Sequence, residues 1–225
     1  MMKFETTNHP WSVSDVLWVF LLRLALVYLI GKGLLPLLPG ISPRFVEVMD
    51  RAILLGLTLF FVLRKGNLHE LGLRFDQFGR QILYGVLGGG FLFIIAEGSQ
   101  RALVWLLAAD VGSNPLVKAA AVANTPTALV WPLLIGGVLV PVTEELYYRG
   151  LAFTVFSRKW GLIMGLLASA VFFSLAHFSG VWFIQIAAVG GGLAMIYYLT
   201  GSLIPGMIAH GLVNSSRLLM VYWGS

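Results

Sequence analysis

The sequence predicts an all-α protein: a polytopic transmembrane bundle of about seven helices, within a range of six to eight. Three observations predict it. The 225 residues are 58% hydrophobic and 11% charged, whereas a soluble domain carries about 25% charged residues. Several apolar runs reach the roughly 20 residues that a helix needs to cross a bilayer. The basic residues stand mostly at the ends of those runs, where a membrane protein displays its orientation. The formal charge of +5 therefore does not point to nucleic acid. With no cysteine, disulfides, thiol catalysis and Cys-based zinc sites are excluded. A single membrane-embedded domain, 1–225, is expected.

From the N-terminus, Met1–Trp11 is polar and holds one lysine. The first apolar run, about Ser12–Leu35 with Arg23 in it, lacks a small-residue cleavage site and is expected to be a retained span. Prolines and a glycine end it at 35–40. Span two is about Phe45–Leu63, closed by Arg64, Lys65, Gly66 and Asn67. Leu71–Arg80 is a polar, basic connector expected at the interface. Span three, about Gln81–Ala109, holds Gly85, Gly88, Gly89 and Gly90, which suit close helix packing in lipid, and then Glu97. Asp110–Thr127 reads as a loop with an Ala-rich piece, Lys118–Ala123. Span four, about Ala128–Phe156, contains Pro141, which lacks a backbone donor and is expected to kink the helix. Thr143 is a candidate cap for the helical turns after that kink. Arg158 and Lys159 close the span. Spans five to seven, about Gly161–His177, Val181–Leu199 and Leu203–Trp223, have very short links and are expected to be antiparallel neighbours. Trp11, Trp18, Trp182, Tyr222 and Trp223 fall near predicted interfaces and suit belt anchors.

With seven spans, Lys3, Arg64, Lys65, Arg74, Arg80, Arg158 and Lys159 share the N-terminal side. Lys32, Arg44, Arg101 and Lys118 lie opposite. The positive-inside rule then places the N-terminus in the cytoplasm of a multi-pass cell-membrane protein and the C-terminus outside.

Ionisable residues in hydrocarbon usually face a protein interior or a wet cavity, and they are functional by default. Thr143–Gly150 puts Glu144, Glu145 and Arg149 inside an apolar run. Glu145 and Arg149 are four apart, the favourable order for a helix ion pair. Glu144 lies about 100° round the helix from Glu145. It is free to face another cavity and stay unpaired, which suits a general base near neutral pH. The alternative is a structural network in which all three lock a helix pair. Phe173 and His177 share a face near the end of span five. His210 and Asn214 share a face of span seven.

Glu144, His177, His210 and Asn214 make a set of a carboxylate, two imidazoles and an amide. Such a set can hold a water, deprotonate it and donate hydrogen bonds to an oxyanion. Glu144, His177 and His210 could also hold a divalent metal such as zinc. No His-Glu-x-x-His pattern is present, and asparagine is a poor zinc ligand, so oxyanion donation fits better and no cofactor is expected. One expectation strains the set. On these boundaries His210 lies about 10 Å from one face, and Glu144 and His177 about 20 Å from it, at 1.5 Å per residue. A kink at Pro141, tilt, or a late start to span seven would close the gap. Glu97, deep in span three, is expected to pair with Arg23 or Arg217, the alternative being that it lines a substrate path. Arg217 itself is expected to snorkel near a span end.

Glu-Glu-x-x-x-Arg (144–149), Phe-x-x-x-His (173–177) and His-x-x-x-Asn (210–214), in that order on successive apolar helices, resemble the CPBP family. These are the CAAX-protease and bacteriocin-processing intramembrane proteases, also called the Abi family. The resemblance covers about Leu129–Leu219. The three motifs are specific together and weak singly. On this resemblance, 1–125 are variable N-terminal spans, similar only in hydropathy and a Leu-Gly-Leu connector, and 126–223 are the catalytic core. It implies a hydrolase of glutamic type. Glu144 would polarise water with His177, His210 and Asn214 would form the oxyanion site, and Glu145 and Arg149 would brace the motif beside Phe173. It implies a membrane-associated partner in the lipid bilayer: a lipidated CAAX protein, a peptide leader or a C-terminal sorting segment. Two other classes stay open. One is a non-catalytic immunity or scaffold protein of the same fold. The other is a proton-coupled transporter using Glu97, Glu144 and His177, although no internal repeat of the kind transporters often show is present.

Overall fold

A computed structural model describes residues 10–38, 40–108, 110 and 125–224. Lys118–Ala123 lies outside them, as do most of the 110–127 loop and the start of the N-terminal segment. The described residues are helical, with no strand among them. The helices are α1 (Val13–Leu29), α2 (Pro43–Leu63), α3 (Phe78–Leu107), α4 (Pro126–Leu134), α5 (Val140–Glu144), α6 (Thr154–Leu175), α7 (Phe183–Thr200) and α8 (Leu203–Gly224). π-Helical turns, Ile135–Leu139 and Glu145–Phe153, join α4, α5 and α6 into one run.

Four segments are long and apolar enough to cross a membrane: Val13–Leu37, Phe78–Leu107, Pro126–Leu175 and Phe183–Thr200. The expected count of about seven is thus not confirmed among the described residues. Helix α2 is not among the four because Arg44, Glu47, Asp50 and Arg51 crowd its first half. Helix α8 carries proline, glycines, serines, His210, Asn214 and Arg217. The 50-residue segment holds the expected boundary between spans four and five. Gly161 there has φ +80°, a left-handed conformation that glycine adopts without steric cost and that breaks the helix.

Local sequence explains the other ends. Asp15 Oδ2 accepts from the Ser12 backbone N–H at 2.8 Å at the start of α1, and its carboxylate pairs with Lys65 at 2.8 Å. In the fourth run, the Val140 N–H bonds Ile135 across five residues. The next carbonyl in that register, Gly136, would need the N–H that Pro141 lacks. Thr143 does not act as a cap. Its hydroxyl bonds back to the Leu139 and Val140 carbonyls at 2.9 and 3.1 Å.

Helix α3 packs most extensively on α8, and α6 on α7. The α3 glycines account for the first contact. A Cβ at Gly85 would lie 2.6 Å from Ile208 Cβ, and one at Gly89 would lie 3.1 Å from the Ala209 Cα. Gly90 faces open space. The 71–80 connector does not simply lie at the interface. Leu71 is buried, Tyr197 Oη donates to its carbonyl at 2.7 Å, and Leu203 N–H donates to the Gly72 carbonyl at 2.9 Å. Trp11 and Trp182 are likewise buried rather than belt anchors, whereas Trp18 and Trp223 are exposed.

A close crossing of α8 against the fourth run supports the site. A Cβ at Gly211 would run into the Gly137 carbonyl oxygen. Gly211→Ala is therefore expected to destabilise the fold by about 1–3 kcal/mol, the usual cost of overpacking. Gly90→Ala, which meets nothing within 4 Å, is the control. Chemical unfolding in detergent checks the pair, and equal midpoints would show that this crossing is not tight.

Candidate active site

The fourth run, α6 and α8 bring the three motifs to one cavity of about 1160 Å³, which α1, α2 and α7 also line. Glu144, Phe173, His177, His210 and Asn214 all line it. The expected depth mismatch is absent. Phe173 contacts the rings of both His177, at a centroid distance of 4.6 Å, and His210, at 6.1 Å. Helix α8 begins at Leu203 as expected, so a late start is not the reason. The departures from straight α geometry lie in the fourth run, in the π turns on both sides of α5.

Glu145 and Arg149 pair at 3.0 Å as their spacing indicates, and neither is exposed to solvent. Arg149 also donates to the Gly190 carbonyl at 3.1 Å and lies 4.2 Å from the Phe173 ring centroid. One link went unread in the sequence: Glu145 Oε1 also accepts from His210 Nδ1 at 2.9 Å. A carboxylate only accepts, so Nδ1 carries the proton, and the bond fixes ring orientation. The signal was a buried carboxylate with two oxygens and one local partner. Glu145 thus ties the first motif to the third.

Glu144 is not unpaired. Arg51 Nη1 donates to its Oε1 at 2.6 Å, and the residue is 4% exposed. Its Oε2 is buried with no hydrogen-bond partner among the described residues. Arg51 also lies 3.1 Å from Asp50, and Arg23 grips Asp50 through two bonds of 2.7 Å. Arg23 therefore serves Asp50 and not Glu97. Glu97 pairs with Arg217 at 3.1 Å, and Arg217 is buried rather than snorkelling. Sequence reasoning passed over Asp50 and Arg51. Their signal was two adjacent opposite charges within a helix otherwise read as a span.

His177 lies in the turn after α6, where its Nδ1 is 2.7 Å from the Phe173 carbonyl. That oxygen only accepts, so the neutral ring keeps Nε2 as a proton acceptor. Asn214 Nδ2 donates to the Gly136 carbonyl at 2.9 Å, repairing the bond that Pro141 cannot make. Its second N–H and its Oδ1 remain for other partners. The metal alternative fits poorly. Among the described residues no three His, Asp or Glu side chains converge to hold an ion. The Arg51 guanidinium on Glu144, the one carboxylate of the suggested ligand set, would also repel a divalent cation.

Fold and site define a class: a multi-helix integral membrane protein with buried carboxylates and imidazoles gathered around one cavity. Comparison supplies the family. Residues 126–216 match the family described as type II CAAX prenyl endopeptidase, Rce1-like, over the stretch that carries the three motifs. No curated protein and no solved structure matches the chain.

Proposed function

We propose that the protein is an intramembrane endopeptidase of glutamic type. It hydrolyses a peptide bond of a membrane-associated substrate: a lipidated protein, a peptide leader or a C-terminal sorting segment. The observation that carries this reading is the meeting of Glu144, His177 and His210 at one cavity within the family-matched stretch. A water held by Glu144 and by His177 Nε2 attacks the scissile carbonyl carbon as Glu144 takes its proton. Glu144 then passes that proton to the leaving amine as the C–N bond breaks. The His210 ring, oriented by its Nδ1–H bond to Glu145, and the second Asn214 N–H form the oxyanion site. Arg51 holds the Glu144 carboxylate in place. No step needs a metal.

Cleavage in proteoliposomes tests this. Wild type, Glu144→Ala and His177→Ala are compared on lipidated, leader and tail-anchored peptides, with and without chelator. The expected result is cleavage by wild type that both variants lose and chelator spares. Loss with chelator and rescue by zinc would reinstate a metal. A peptide that binds wild type and variants alike, with none cleaved, would favour a binding protein of this fold.

A further inference from the structure

The cavity has a direction. Its lining runs from exposed Ser42, Arg44 and Glu47 at the start of α2, past half-buried Arg51, to buried Glu144 and His210. The mouth is therefore at the Pro43 end of α2. Arg64 follows the other end of that helix, about 30 Å away at 1.5 Å per residue, which is the thickness of a bilayer core. Helix α2 runs antiparallel against α1, which is long and apolar enough to cross a membrane: Lys65 after the end of α2 meets Asp15 at the start of α1, and Asp50 meets Arg23 further along, so the two ends of α2 lie toward opposite membrane faces.

The charges at those ends are unequal. The far end gathers Arg64, Lys65, Arg74, Arg80, Arg158 and Lys159. The pairing of Leu203 with Gly72, and of Tyr197 with Leu71, brings the connector, the end of α7 and the start of α8 together there. The mouth end has Lys32, Arg44 and Arg101 among the described residues. Lysine and arginine in short connections mark the cytoplasmic side.

We infer that the cavity opens on the non-cytoplasmic face, so that the substrate segment reaches Glu144 from outside the cytoplasm. This rests on the endopeptidase reading for its substrate, but not for its geometry. It selects a polypeptide segment displayed on the outer side of the membrane, such as an exported leader or sorting segment, over a lipidated tail held in the cytoplasm.

The chain has no cysteine, so single-cysteine variants report position directly. Arg44→Cys places a thiol at the mouth and Lys159→Cys at the basic end. Both variants are expressed in a bacterial inner membrane and exposed to a membrane-impermeant maleimide, first as spheroplasts and then as inverted vesicles. Labelling after solubilisation in detergent calibrates each thiol. Arg44→Cys is expected to label several-fold more in spheroplasts, and Lys159→Cys several-fold more in inverted vesicles. The reverse pattern, or equal labelling of both sites in spheroplasts, overturns the inference. The expected pattern from a protein that cleaves none of the peptides would leave this orientation standing and sink the endopeptidase reading alone.

Discussion

Glu144→Gln lowers kcat for the cleaved peptide by about 100- to 10,000-fold, the contribution expected of a positioned general base, and leaves the protein folded. Glutamine keeps the shape of the side chain, and its carbonyl oxygen still accepts from Arg51 Nη1, 2.6 Å away in the wild type. The amide cannot take a proton from water at neutral pH. Arg51 is not left uncompensated, because Asp50 remains 3.1 Å from its guanidinium. The variant should therefore elute and unfold like wild type, with KM little changed, while turnover falls. Single-turnover cleavage beside an unfolding titration reads both quantities. A variant within tenfold of wild-type turnover would remove Glu144 from the chemistry and leave it a structural partner of Arg51.

Local pattern carried what was legible. The Glu145–Arg149 pair, the Phe173–His177 face and the helix break near Gly161 depend on residues within a turn or two of each other. The long-range pairs were another matter. Arg51 and Glu144 are 93 residues apart, and Glu145 and His210 are 65 apart. Nothing in periodicity says which buried charge on one helix meets which on another. The span count was not confirmed for a related reason. Helix α2 holds four charges in its first half because that half lines the cavity mouth, and the same charges lower its hydropathy. Trp11 and Trp182 misled because proximity to a helix end does not fix whether an indole faces lipid or protein. Trp11 Nε1 donates to the Val62 carbonyl at 3.2 Å inside the packing.

Removing Arg149 is expected to have the largest effect on stability. Its guanidinium is 0% exposed, beside Glu145, the Gly190 carbonyl and the face of Phe173. In Arg149→Met the volume is roughly kept, but Glu145 becomes a buried carboxylate left with His210 as its polar partner among the described residues, where its Oε2 already has no hydrogen-bond partner. Breaking one side of a buried pair costs about 3–5 kcal/mol. Arg149→Lys should rescue little, since a point ammonium cannot replace a planar fork that pairs, donates and stacks at once. Adding Glu145→Gln to Arg149→Met removes the orphaned charge. The double variant should regain part of the loss, with a coupling of about 0.5–3 kcal/mol. Unfolding free energies of wild type, the two single variants and the double variant in detergent measure it. Additive losses would mean that the pair contributes nothing as a pair, and that the motif is held by helix packing alone.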